Sequence, residues 1–186
     1  MGSTVNSILL ALAAIGGVAG WAFCVVYALA MIIRKKQPGA NFSLAMLILC
    51  HLSAAAAWLL NMGWIRFILL IFVVPFIYSA LFTVFHVKAL PNLIHSQRLT
   101  VYTLITNITY VLMYAFLPDG DDSGAMYVFF GLIRDYGIDA FWGLSAVCLI
   151  VHIIFIGLQI DETVQTKKRV KREKELQEGN WDEFAV

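Results

Sequence analysis

The chain has 186 residues, of which 61% are hydrophobic and only 13% charged, and its formal net charge is +1. Soluble domains carry about 45–50% apolar and about 25% charged residues, so this composition excludes a water-soluble enzyme or binding domain and requires lipid contact. The near-neutral balance says nothing about partners; the placement of the charges does.

The first apolar run covers residues 5–33. No basic segment precedes it, and it is too long for the apolar part of a cleaved leader. It is therefore expected to stay as a span, tilted or projecting because of its length. Asn6 stands where a myristoylation signal needs Ser or Thr, so no lipid anchor is expected. Gly16-x-x-x-Gly20 and Ala13-x-x-x-Gly17 form a stripe of small residues, which lets another helix approach closely, within the chain or between chains. Arg34-Lys35-Lys36-Gln37-Pro38-Gly39 closes this helix with cations and a Pro-Gly turn.

A second span is expected over residues 42–60, with a run of alanines at 54–57, before the short turn Asn61-Met62-Gly63. The third covers 67–87, where Pro75 predicts a kink. His86, Lys88, His95 and Arg98 then surround Pro91-Asn92 and read as a basic loop suited to lipid headgroups or a partner. The fourth span covers 99–117. In the loop that follows, Asp119, Asp121 and Asp122 lack the ligand spacing of an EF-hand and read as solvated. Residues 126–133 are apolar but too short to span. Segment 126–134 is expected to lie as an interfacial or re-entrant helix, with a bend at 134–137. The fifth span covers 138–160 and continues as a charged helical tail to a stop at Gly179.

Orientation follows the basic residues. With the amino terminus outside, Arg34, Lys35, Lys36, Lys88, Arg98, Lys167, Lys168, Arg169, Lys171, Arg172 and Lys174 all fall inside, and only Arg66 and Arg134 remain outside. The expected fold is an all-α, polytopic bundle of five transmembrane helices. Its amino terminus lies outside, its carboxyl terminus is cytoplasmic, and it carries a short outer interfacial helix. Residues 1–160 form the bundle and 161–186 the cytoplasmic tail, in a multi-pass protein of the plasma membrane.

Four groups of residues can carry function. Arg66, Arg134, Asp135 and Asp139 form an expected outer polar cluster, because ionisable groups at a membrane boundary are functional candidates. Within the membrane, His51 and His152 fall at one depth, with Cys148 one turn from His152. Helix-packing hydrogen bonds are the favoured reading there. No cofactor is expected; haem or a transition metal held by His51, His152 and Cys148, in an electron-transfer subunit, is the alternative. Cys24, Cys50 and Cys148 are an odd set inside apolar stretches and do not form a disulfide framework. Ala13, Gly16, Gly17 and Gly20 are the packing residues. Lys167, Lys168, Arg169, Lys171, Arg172 and Lys174, with Trp181 and Phe184, suit anionic lipid or a cytoplasmic protein. No aromatic residues interleave those cations, so direct nucleic-acid binding is not expected.

No HExxH, GxSxG, CxxC or phosphate-binding glycine loop is present, and no enzyme is expected. The reading is a membrane subunit that forms homo- or hetero-oligomers and anchors or signals to a cytoplasmic partner through its tail. An ion channel or small transporter is the alternative.

Overall fold

The computed structural model describes residues 2–61, 63–120, 126–135 and 139–183, with the backbone alone at 2–10, 13, 120, 135 and 178–183. Six α-helices in chain order are α1 (Gly2–Ile33), α2 (Ala40–Leu60), α3 (Trp64–Ile71), α4 (Val74–Ala89), α5 (Gln97–Phe116) and α6 (Asp139–Glu183). A 3-10 turn, Leu90–His95, joins α4 to α5. Five segments are long and apolar enough to cross a membrane: Ala14–Ile33, Ala40–Leu60, Val74–His95, Gln97–Phe116 and Asp139–Gln177. Large apolar side chains such as Phe23, Ile33, Phe72 and Phe76 lie exposed on the outside of the bundle. That inverted surface marks a membrane protein, because lipid replaces water as the solvent of those faces.

The fifth helix is central. In its apolar window 61% of residues are buried, against 17% for the first and third spans. It packs on α6, α2 and α1. Leu47, Cys50 and Ala54 of α2, Phe82 of α4, and Tyr110, Val111 and Met113 of α5 form the main core.

The α1–α2 contact uses two glycines of the expected stripe, Gly17 and Gly20, but not Gly16. A Cβ at Gly17 would lie 3.1 Å from Leu52 Cβ, and one at Gly20 would lie 3.1 Å from Leu49 Cδ2, while Gly16 faces open space. Gly17 leads to buried Cys24 and Ala28 on the same face. Gly16 is rotated about 100° from Gly17 about the helix axis. The side chain of Ala13 lies outside the described residues. Gly17→Leu is expected to cost about 1–3 kcal/mol by overpacking. Gly16→Leu should stay within about 0.5 kcal/mol of the parent. Thermal unfolding of both variants in detergent measures the difference.

Three expectations about the elements are corrected. The third span is not one kinked helix: the chain breaks at Phe72 and Val73, with Val73 at φ +59°. Pro75 occupies the first turn of α4, where its missing N–H removes no hydrogen bond, so it starts a helix and does not bend one. The segment 126–134 is not a helix. β2 (Met126–Val128) and β3 (Ile133–Asp135) are antiparallel, and β1 (Asp119–Gly120) pairs with β2 to complete a three-stranded sheet. Phe129, Phe130 and Gly131 between them all have positive φ, a conformation a right-handed helix cannot contain. The turn is held by Phe129 N–H on Ala115 O at 2.6 Å and by Gly131 N–H on the Asn61 side chain. A Cβ at Gly131 would lie 2.9 Å from Leu60 O, so only glycine fits this approach.

The third correction concerns the tail. Gly179 does not stop the helix; α6 runs unbroken for 45 residues to Glu183. At about 1.5 Å per residue that is about 67 Å, well beyond the roughly 40–45 Å of a bilayer with its headgroups. Its second half is an arm that leaves the bundle at the end opposite the sheet.

Candidate functional site

The sheet end is organised around Arg66, which is fully buried. Its guanidinium donates to the carbonyls of Ala57 and of Trp58 (3.3 Å), at the end of α2. It also donates to Tyr114 O at 2.7 Å and Leu117 O at 2.6 Å, at the end of α5. Ala57 O also accepts the Asn61 N–H at 3.2 Å; the group as a whole sits at the negative ends of two helix dipoles, where carbonyls run out of helical partners. Asp119 lies 3.9 Å from Arg66 Nε and accepts from the backbone N–H groups of Gly63 (3.1 Å), Ile65 (3.1 Å) and Arg66 (2.7 Å). A single carboxylate thus caps α3 and neutralises the arginine. Burial pulls the Arg66 pKa down to about 10 and Asp119 opposes that shift, so the group is charged at neutral pH.

This overturns two expectations. Asp119 is 2% exposed, not solvated. Arg66 belongs with Asp119 and not with Arg134 and Asp139. Arg134 is exposed and lies over the Tyr127 ring at 5.3 Å, and Asp139 is an exposed first residue of α6. Asp135 pairs with Met126 in the sheet; its side chain lies outside the described residues, as do Asp121 and Asp122.

Inside the bundle, the α5–α6 contact is a polar seam. Ser145, His152, Gln159 and Thr166 of α6 are spaced by seven residues and all buried. Ser145 Oγ donates to Met113 O at 2.8 Å. His152 Nδ1 lies 3.0 Å from Thr106 O and 3.1 Å from Thr109 Oγ1. Since a carbonyl only accepts, Nδ1 carries the proton and Nε2 is a bare lone pair. Thr106 Oγ1 meets Gln159 Oε1 at 3.1 Å. Farther along, Glu162 accepts from Ser96 Oγ at 2.7 Å and Thr166 Oγ1 at 3.4 Å. Facing threonines recur on α5 at 100, 103, 106 and 109, all buried. In hydrocarbon, where the hydrophobic effect is absent, such bonds join van der Waals packing in holding helices together.

His51 Nε2 bonds Thr83 Oγ1 at 2.8 Å, and its Nδ1 bonds Ser79 Oγ at 3.1 Å. Both His51 and His152 pack on one ring pair, Phe82 and Tyr110, which stack at 4.5 Å. Cys148 is half-buried at the edge of that core, and Cys50 Sγ donates to Asn107 O at 3.4 Å. Among the described residues no three of His, Cys, Asp and Glu are grouped to hold a metal ion. The two imidazoles are brought together through shared rings and separate hydroxyl partners.

His86, expected in a basic surface loop, is fully buried and meets Asn107 Nδ2 through Nδ1 at 3.3 Å. With the amide donating, the His86 proton sits on Nε2. That atom, with His152 Nε2, Gln159 Nε2, Thr103 Oγ1, Asn107 Oδ1 and Tyr78 OH, is buried without a hydrogen-bond partner among the described residues. A space of about 10 Å³, the size of one water, adjoins His86, Ser43, Thr100 and Thr103. Of this seam only His152 was expected from the sequence; the seven-residue repeat of Ser145, His152, Gln159 and Thr166 is a signal that could have found the rest.

Most of the arm is exposed. Lys167, Lys168, Arg169, Lys171, Arg172 and Lys174 all present their charges to the surroundings, and Lys171 meets Glu175 at 3.5 Å. The side chains of Trp181 and Phe184 lie outside the described residues. Comparison with known protein families, curated proteins and solved structures finds no match to this chain.

Proposed function

We propose that the chain is a non-enzymatic integral membrane subunit that holds a cytoplasmic partner on its helical arm and passes to it a change arising at the sheet end or within the bilayer. One observation carries the reading: α6 continues without a break from the buried polar seam into the charged arm. A rigid element anchored inside the membrane and free outside it transmits a small rotation at the seam as a larger displacement at its tip. The bias of basic residues toward the arm end supports a cytosolic arm and an outer sheet, and the proposal takes the plasma membrane as the location. The cations on the arm suit a partner with an acidic surface or anionic lipid. Deletion of residues 165–186 is expected to leave membrane insertion intact and to abolish co-purification of the partner from native membranes. Mass spectrometry of affinity-captured material reads the result, and an unchanged set of captured proteins defeats the docking claim.

A second reading, a proton or ion conduit, is favoured by the unpartnered buried atoms. His86 offers an N–H and His152 a lone pair, complementary states for proton exchange through intervening water. Flux into liposomes decides it: His86→Ala and His152→Ala must each reduce a flux seen with the parent chain, and a parent chain without flux removes this reading.

A further inference from the structure

At the arm end, a polar groove of about 580 Å³ opens between the start of α5 and α6, lined by His95, Ser96, Arg98, Glu162, Gln165 and Arg169 among others. It lies where the third span ends at His95, α5 begins at Gln97, and the apolar part of α6 gives way to charge after Ile160. That is the level at which phospholipid headgroups sit.

The charges of the groove are of both signs. Glu162 receives Ser96, Thr166 and Arg169 (3.9 Å) all on Oε1, and Oε2 has no partner among the described residues. The Glu162 side chain is 15% exposed and lines the groove, where Oε2 is open to a ligand. Arg98 makes no hydrogen bond or ion pair among the described residues, and the Arg169 side chain is 55% exposed. A lone anion drawn by the two guanidinium groups would sit beside a carboxylate, and a lone cation drawn by Glu162 would sit beside two arginines. A ligand carrying both charges meets neither repulsion.

We propose that this groove binds the headgroup of a zwitterionic phospholipid bearing a primary ammonium, with the phosphate on Arg98 and Arg169 and the ammonium on Glu162 Oε2. Arginine presents the forked donors that suit phosphate, and a primary ammonium supplies the N–H that Oε2 lacks. The proposal needs only the membrane location and stands whether or not the arm carries a partner. A headgroup in this position would tie the root of the arm to α5, making the arm's angle responsive to lipid composition.

The test uses the full chain, delipidated in detergent, with phosphatidylethanolamine, phosphatidylglycerol and phosphatidylcholine of identical acyl chains, followed by native mass spectrometry. Phosphatidylethanolamine is expected to bind about tenfold more tightly than the other two, the factor one charge-assisted hydrogen bond supplies. Glu162→Gln, which keeps an acceptor for Ser96, should erase that preference, and Arg98→Gln should weaken all three lipids. Equal binding of the three, a preference for phosphatidylglycerol, or an ethanolamine preference that survives Glu162→Gln would each overturn the proposal. Where Glu162→Gln does not fold, ethanolamine against choline on the unaltered chain decides, because a trimethylammonium has no N–H to donate. Soluble O-phosphoethanolamine at equal concentration should not compete; competition as strong as the lipid's would overturn the lipid assignment.

Discussion

Replacing Arg66 with alanine is expected to destabilise the folded chain by about 3–5 kcal/mol, the usual cost of removing one partner of a buried ion pair. The guanidinium serves carbonyls at the ends of both α2 and α5, and its loss removes a donor from all of them at once, with Ala57 O keeping the Asn61 N–H as a backbone partner. Asp119 would keep the backbone N–H groups of Gly63, Ile65 and Arg66 but lose its countercharge in a site that is 1% exposed. Lysine should not rescue the variant. An ammonium is a compact charge with three donors and does not bridge two helix ends as a planar fork does. Arg134→Ala is the control: that side chain is exposed and rests on Tyr127, a contact worth about 0.5–1 kcal/mol. Unfolding midpoints in detergent, with size-exclusion profiles, separate the two. Equal midpoints for Arg66→Ala and Arg134→Ala would mean the buried cluster does not hold the sheet end together.

The second large effect concerns the arm. Lys167→Pro is expected to abolish partner capture as fully as deletion of residues 165–186, while the unfolding midpoint of the bundle stays near that of the parent. Position 167 is exposed and lies just beyond Thr166, the last buried residue of the polar seam. A proline there removes the N–H that Thr163 O accepts and collides with that carbonyl, kinking the helix at a local cost of about 3 kcal/mol or more. Lys167→Ala removes the charge and keeps the helix, so it isolates continuity from electrostatics. Capture lost with proline and kept with alanine identifies a rigid arm. Capture lost equally with both identifies a charge contact. Capture kept with both means the partner is held elsewhere, and the proposed role of the arm falls.

How far the site was legible depends on the range over which each signal acts. The repeat at Ser145, His152, Gln159 and Thr166 stood in the sequence at a fixed interval of seven, so a buried polar face on α6 was readable. Its partners on α5 were not, because a spacing along one helix does not say which helix faces it. Arg66 and Asp119 are separated by 53 residues and by two helices, and nothing local links them. Asp119 looked like a loop residue because it stands among other acidic and glycine residues. His86 looked superficial because Lys88 follows it, yet a helix turns about 200° between the two and buries one while exposing the other. The stretch 126–133 was short and apolar, a pattern that periodicity alone does not assign to helix or strand. β2 and β3 pair as a hairpin whose turn is held by bonds from Phe129 N–H to Ala115 O and from Gly131 N–H to the Asn61 side chain, both partners distant in sequence.

By itself the sequence determined that lipid surrounds this chain, that five segments are long and apolar enough to cross it, and that the last continues as a charged helix. Those properties are sums over contiguous residues, and transfer into hydrocarbon depends on such sums. Only the tertiary structure decided which buried polar groups meet, where the third span breaks, and which glycine touches a neighbour. In a solvent that offers no hydrogen bonds, each of those groups takes the partner that packing brings to it, and packing is decided between helices far apart in the chain.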